Sequence, residues 1–85
     1  MIKITEKDRK RIDDIISKSA GDIEKQKKLA LQMCNLITTE QKALGRYLVA
    51  KEYKIDHLAE IFLERAKELG ITGAQEWRKY VIDNL

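Results

Sequence analysis

The sequence predicts an all-α protein: one domain spanning residues 1–85, built as a compact bundle of about five short helices. Three observations support this fold class. The chain has no proline and only four glycines. Residues that cap helices recur at regular intervals, and the apolar residues between them follow the helical period rather than strand alternation. Hydrophobic residues make up 44% of the chain, which is enough to form a core.

The first helix is predicted over residues 6–19. Thr5 precedes it as an N-cap, because its hydroxyl can accept a hydrogen bond from a free backbone amide of the first turn. Acidic residues in that turn favour the positive end of the helix dipole. The apolar stripe is narrow, so this helix should lie on the outside of the fold. The stripe consists of Ile12, Ile15 and Ile16, with Ala20 as a further candidate.

The second helix is predicted over residues 23–37. Gly21 is suited to the left-handed conformation that ends a helix, and Asp22 is suited to cap the next one. The helix begins with charged residues and becomes apolar towards Ile37. Its second half should therefore be deeply buried.

The third helix is predicted over residues 39–52. Thr38 and Gln41 have the spacing of a capping box. Gly45 lies in the middle of this helix, where glycine costs about 1 kcal/mol relative to alanine. A close approach of another helix at Gly45 would explain its presence.

The fourth helix is predicted over residues 57–69, with Asp56 as its N-cap and Gly70 as its C-terminal stop. Helices two to four should form most of the core. A fifth helix is predicted from Thr72, which has capping-box spacing to Gln75, to the end of the chain.

The apolar surfaces of the third and fourth helices cover a wider arc than one-sided burial requires. A protein partner or a second copy of the chain could cover the remainder, although a central position in the bundle would also account for it. Aromatic residues with polar tips often anchor such contacts. We therefore predict a small, non-enzymatic regulatory or interaction protein that acts through protein–protein contacts, with homodimerisation as one form. The candidate interface residues are Val49, Tyr53, Leu63, Trp77 and Tyr80.

The segment from Ala66 to Thr72 supports an alternative prediction. Ala66, with a glycine four residues later and apolar residues on both sides of that glycine, resembles the turn of a helix-turn-helix motif. The resemblance implies a DNA-binding regulator that uses residues 56–85, with the last helix as the recognition helix. Gln75, Arg78 and Lys79 would then contact nucleic acid. The chain departs from the motif at Glu76, where an apolar core residue is expected.

No pattern in the chain indicates catalysis or metal binding. The single histidine, His57, has no Cys, His, Asp or Glu partners at ligand spacing. The acidic row Glu60, Glu64 and Glu68 is typical of a solvated helix face, and its alternative role is to bind a basic partner rather than to catalyse. We therefore predict no enzymatic activity, cofactor, metal or small-molecule substrate.

The net charge of the chain is +3, which is too small to indicate a dedicated nucleic-acid binder.

The single cysteine and the lack of a targeting pattern predict a cytoplasmic protein. Cys34 is the single cysteine and lies in an apolar helical run, as a buried, reduced thiol would. No signal peptide is visible, and no apolar stretch approaches the roughly 20 residues that span a bilayer. We therefore predict no membrane partner.

Overall fold

The computed structural model describes residues 4–70 of the chain. This part contains helices α1 (Glu6–Ser19), α2 (Ile23–Cys34), α3 (Glu40–Glu52) and α4 (Asp56–Glu68) and no strand. The predicted all-α class is confirmed. The predicted fifth helix lies outside the described residues.

The four helices pack in a ring, with α1 beside α2, α2 beside α4, α4 beside α3, and α3 beside α1. The contact between α3 and α4 is the most extensive. Every residue of α3 from 43 to 50 is buried, so this helix is covered on all sides. The largest fully buried side chains come from every helix except α2, and one follows that helix: Ile12, Ile15, Ile37, Val49, Leu58 and Phe62.

The N-terminus of α1 confirms the sequence prediction. The Thr5 hydroxyl accepts a hydrogen bond from the backbone N–H of Asp8, and the Asp8 carboxylate accepts one from the backbone N–H of Thr5. The outward position of α1 is also confirmed, because Ile12 and Ile15 are buried while most of the rest of the helix is exposed. At its end, Ala20 and Gly21 both have positive φ, which turns the chain into α2.

The close approach expected at Gly45 is present, and α1 makes it. A Cβ atom on Gly45 would lie 2.5 Å from Oδ2 of Asp8. Next to this contact, Oδ1 of Asp8 lies 3.3 Å from Nε of Arg46, and both side chains are more than nine-tenths buried. The 3.3 Å separation makes this contact an ion pair, and within residues 4–70 Nε has no hydrogen bond of good geometry. Burial lowers the pKa of Arg46, and the negative charge of Asp8 opposes that shift.

Two of the predicted caps were wrong by one residue. Thr39, not Thr38, caps α3, because its side chain accepts the hydrogen bond from the backbone N–H of Lys42. Asp56 is the first residue of α4 rather than its cap, and Ile55 holds the cap position without a side-chain hydrogen bond. The carboxylate of Asp56 instead lies 3.6 Å from Nζ of Lys51, across the turn between α3 and α4.

The prediction for the second half of α2 was only partly right: Ala30 and Cys34 are buried, but the helix is shorter than predicted and one face of it is exposed. The helix ends at Cys34 and continues as a tight turn to Ile37, which is buried. Leu31 is 58% exposed, and Leu36 in the turn is 83% exposed. The physical reason is the ring arrangement: α2 packs against α1 and α4, and these neighbours cover only part of its apolar surface.

Candidate protein-interaction groove

The predicted interface residues do not form one exposed surface on the described part of the chain. Val49 is 0% exposed and belongs to the core of the single chain. Tyr53 and Leu63 are partly buried and pack against that core. The wide apolar arc of α3 is therefore accounted for within the monomer. Trp77 and Tyr80 lie outside the described residues.

The residues proposed for DNA recognition, Gln75, Arg78 and Lys79, also lie outside the described residues. The helix-turn-helix alternative therefore stays a prediction. Its first helix would be α4, which packs against α2 and α3.

A surface groove of about 960 Å³ runs between α2 and α4. This groove was not predicted from the sequence. Both helices contribute apolar and charged side chains to its walls. On α2 these include Lys27, Lys28 and Leu31, and on α4 they include Glu60, Ile61 and Glu64.

Two hydrogen-bonded contacts hold α2 and α4 side by side. Near the start of both helices, Nε2 of His57 lies 2.6 Å from Oε1 of Gln26, a largely buried amide. Near the end, the Arg65 guanidinium donates hydrogen bonds of 2.9 and 3.2 Å to the carbonyl of Ile37. Because the first turns of α2 and α4 contact each other, and the last turn of α4 contacts the turn that follows α2, the two helices run parallel. His57 thus has a structural partner in the chain.

The large apolar side chains that line the groove are Leu31 from α2 and Ile61 from α4. Ile61 is partly buried. Among the described residues, the large apolar side chains that are exposed are Ile23, Leu31 and Leu36, all on α2 or in the turn after it. Of these three, Leu31 lines the groove between α2 and α4. An apolar side chain held inside a groove can be buried by a partner without rearrangement of the fold.

The two walls of the groove differ in charge. The α2 wall carries Lys27 and Lys28, with Glu24 at its beginning. The α4 wall carries three glutamates spaced four residues apart, with Arg65 among them. Most of these charges are paired on their own helix: Lys27 pairs with Glu24, Glu64 with Lys67 and Glu68 with Arg65.

Lys28 and Glu60 are exposed, and neither forms an ion pair within residues 4–70. They lie on opposite walls of the same groove. The groove therefore presents a basic side, an acidic side and an apolar centre.

The groove also contains Cys34, which is buried at its α2 wall. Burial raises the pKa of this thiol, although the positive charge of Arg65 opposes the shift. A protonated thiol is a poor nucleophile and a poor metal ligand. Among residues 4–70, no group of three or more His, Cys, Asp or Glu side chains is placed to hold a metal ion. No helix in this part of the chain is long and apolar enough to cross a membrane.

Comparisons of the chain with protein-family models, with characterised proteins and with solved structures gave no significant match.

One signal in the sequence could have revealed the groove. The residues one helical turn from Leu31 are Lys27 and Lys28 on one side and Cys34 and Asn35 on the other. Three of these four are polar, which marks Leu31 as an apolar residue on a polar face. The position of α4 beside that face had no comparable signal.

Proposed function

We propose that this protein is a small, non-enzymatic interaction protein that binds a helical face of another polypeptide at the groove between α2 and α4. The observation that carries the proposal is the placement of Leu31, which is 58% exposed between walls of opposite charge. A regulatory role follows from such binding, because a chain that occupies a surface of its partner can block or hold that surface.

The energetics suit a binding surface. Full burial of a leucine side chain contributes about 1.5–3 kcal/mol. Leu31 and Ile61 together can supply the apolar centre that helix-in-groove recognition uses. The charged walls orient the partner and reject partners of the wrong charge pattern, since complementary charges contribute more to specificity than to affinity.

The cytoplasm is the compartment that we propose for this activity. Cys34 is free and buried in the fold. A reduced, unpaired thiol is typical of proteins in reducing compartments.

The two exposed leucines provide a matched test. Leu31→Asp places a charge inside the groove, whereas Leu36→Asp places the same charge on a more exposed leucine that does not line it. Each tagged variant is incubated with an extract of the native cells, and bound proteins are identified by mass spectrometry. Circular dichroism checks that each variant is folded.

We expect a defined polypeptide, which can be the untagged chain itself, to be retained by the wild type and by Leu36→Asp and lost with Leu31→Asp. An identical set of bound proteins for all three chains would show that the groove is not the binding surface, and the proposal would fail.

A further inference from the structure

We infer that the polypeptide bound at the groove is a second copy of this chain, in a two-fold dimer that places the basic α2 wall of each copy against the acidic α4 wall of the other. This inference rests on the proposed function and names its partner. It follows from the positions of the charges along the groove, from the symmetry of a dimer and from the apolar centre.

Lys28 and Glu60, which form no ion pair within residues 4–70, lie at one level of the groove. The contact between Gln26 and His57, near the start of both helices, shows which positions of α2 and α4 lie side by side. Lys28 is two residues beyond Gln26, and Glu60 is three residues beyond His57. Since α2 and α4 run parallel, these two residues lie at nearly the same height on opposite walls.

Symmetry then decides which walls meet. A two-fold axis parallel to the groove brings the α2 wall of one copy against the α4 wall of the other, without changing the height of any residue. Lys28 of each chain then faces Glu60 of the other, twice in the dimer. A two-fold axis across the groove would place acidic wall against acidic wall and basic wall against basic wall. Like charges in such contacts are unfavourable, so the groove selects the parallel axis.

The apolar residues fit the same arrangement. With the axis along the groove, the α2 and α4 helices of both copies surround its centre. Leu31 and Ile61 of each chain line that centre and would be shielded from water. Charged residues at the rim of an apolar centre are the usual organisation of a protein interface.

Charge exchange tests this arrangement. Sedimentation equilibrium of the complete 85-residue chain, over a range of concentrations, gives the dimer dissociation constant of each variant. The variants are Lys28→Glu, Glu60→Lys and the double variant that carries both substitutions. Two controls make the same charge changes at exposed helical positions that do not line the groove: Lys25→Glu for the first and Asp13→Lys for the second.

We expect the wild type to be dimeric, and each single reversal to weaken the dimer roughly tenfold, because each creates two like-charge contacts. The double variant should recover most of the wild-type affinity, since it exchanges the two charges across the interface. Both controls should dimerise like the wild type.

Two results would overturn the dimer. The first is a molar mass that stays at 9.9 kDa up to about 1 mM chain, the dissociation constant of a weak complex. The second is a double variant that is weaker than either single variant. If the chain is monomeric yet its captured partner still depends on Leu31, the proposed function stands with a different polypeptide.

Discussion

Asp8 connects three features of the fold through one carboxylate. Its oxygens accept hydrogen bonds from Thr5, one of them lies 3.3 Å from Nε of Arg46, and they occupy the space that a Cβ atom at position 45 would need. The carboxylate is therefore held from several directions and cannot easily move aside. Removal of one partner from a buried ion pair leaves the other charge uncompensated, which makes this contact sensitive to substitution.

Gly45→Ala tests how firmly Asp8 is held. Alanine favours a helix over glycine by about 1 kcal/mol, so the substitution would be stabilising at an open position. Here the new methyl group meets the Asp8 carboxylate, and we expect a net loss of about 1–3 kcal/mol in the free energy of unfolding, measured with urea. In an Asp8→Ala background, the same substitution should be neutral or stabilising. A gain of stability in the wild-type background would contradict the close approach.

Cys34 gives the stability of the protein a pH dependence in the alkaline range. Burial raises the pKa of the folded thiol, so the unfolded chain loses this proton at a lower pH than the folded chain does. The unfolded state then binds fewer protons, and stability falls as the pH rises above the unfolded pKa of the thiol.

Cys34→Ala removes this contribution to the pH dependence. We expect the difference in unfolding free energy, wild type minus variant, to be constant at lower pH and to decrease above the pKa of the unfolded thiol. Urea unfolding of both proteins at a series of pH values measures it. A difference that stays constant or increases through the alkaline range would show that Cys34 is not buried as described.

The helices themselves were largely predictable, because the patterns that define them are local. Thr5, its carboxylate partner three residues later and the glycine after α1 fix that helix within one stretch of sequence. The predicted cap of α3 was wrong by one residue, because two adjacent threonines can both accept a hydrogen bond from the first turn. Thr39 takes the role of cap, with the bond from Lys42. The cap of α4 was mistaken because Asp56 turns to Lys51, a residue on the preceding helix.

Substitutions of Arg65 and Lys67 compare a partly buried hydrogen bond with an exposed ion pair on the same helix. Arg65 donates two hydrogen bonds to the Ile37 carbonyl and joins α4 to the end of α2. Lys67 makes an exposed ion pair with Glu64. We expect Arg65→Ala to lower the free energy of unfolding by about 1–3 kcal/mol, because the carbonyl loses its charged donor. Lys67→Ala should change it by less than about 0.5 kcal/mol.

Urea denaturation of the two variants measures this difference. Equal losses for Arg65→Ala and Lys67→Ala would mean that the bond to Ile37 does not hold α4 against α2. The contact between Gln26 and His57 would then be the remaining hydrogen bond described between the two groove walls.

At the scale of the whole molecule, the candidate site depends on which helices become neighbours. The exposed side of Leu31 could be inferred from the polar residues around it, but the pairing of α2 with α4 depends on contacts distant in sequence, such as Gln26 with His57. The environment of Val49 could not be predicted from its own helix either. Its helix carries a wide apolar arc, which fits an interface or a central helix equally well, and α3 is buried on every side from 43 to 50.

The most direct test of a dimer formed through the groove is disulfide cross-linking between two different chains. In a Cys34→Ala background, one chain carries Lys28→Cys and the other carries Glu60→Cys. We expect an equal mixture to form the mixed disulfide under mild oxidation faster than either chain forms a disulfide with itself. If the mixture cross-links no faster than the separate chains, Lys28 of one copy does not face Glu60 of the other, and the chain does not form this dimer.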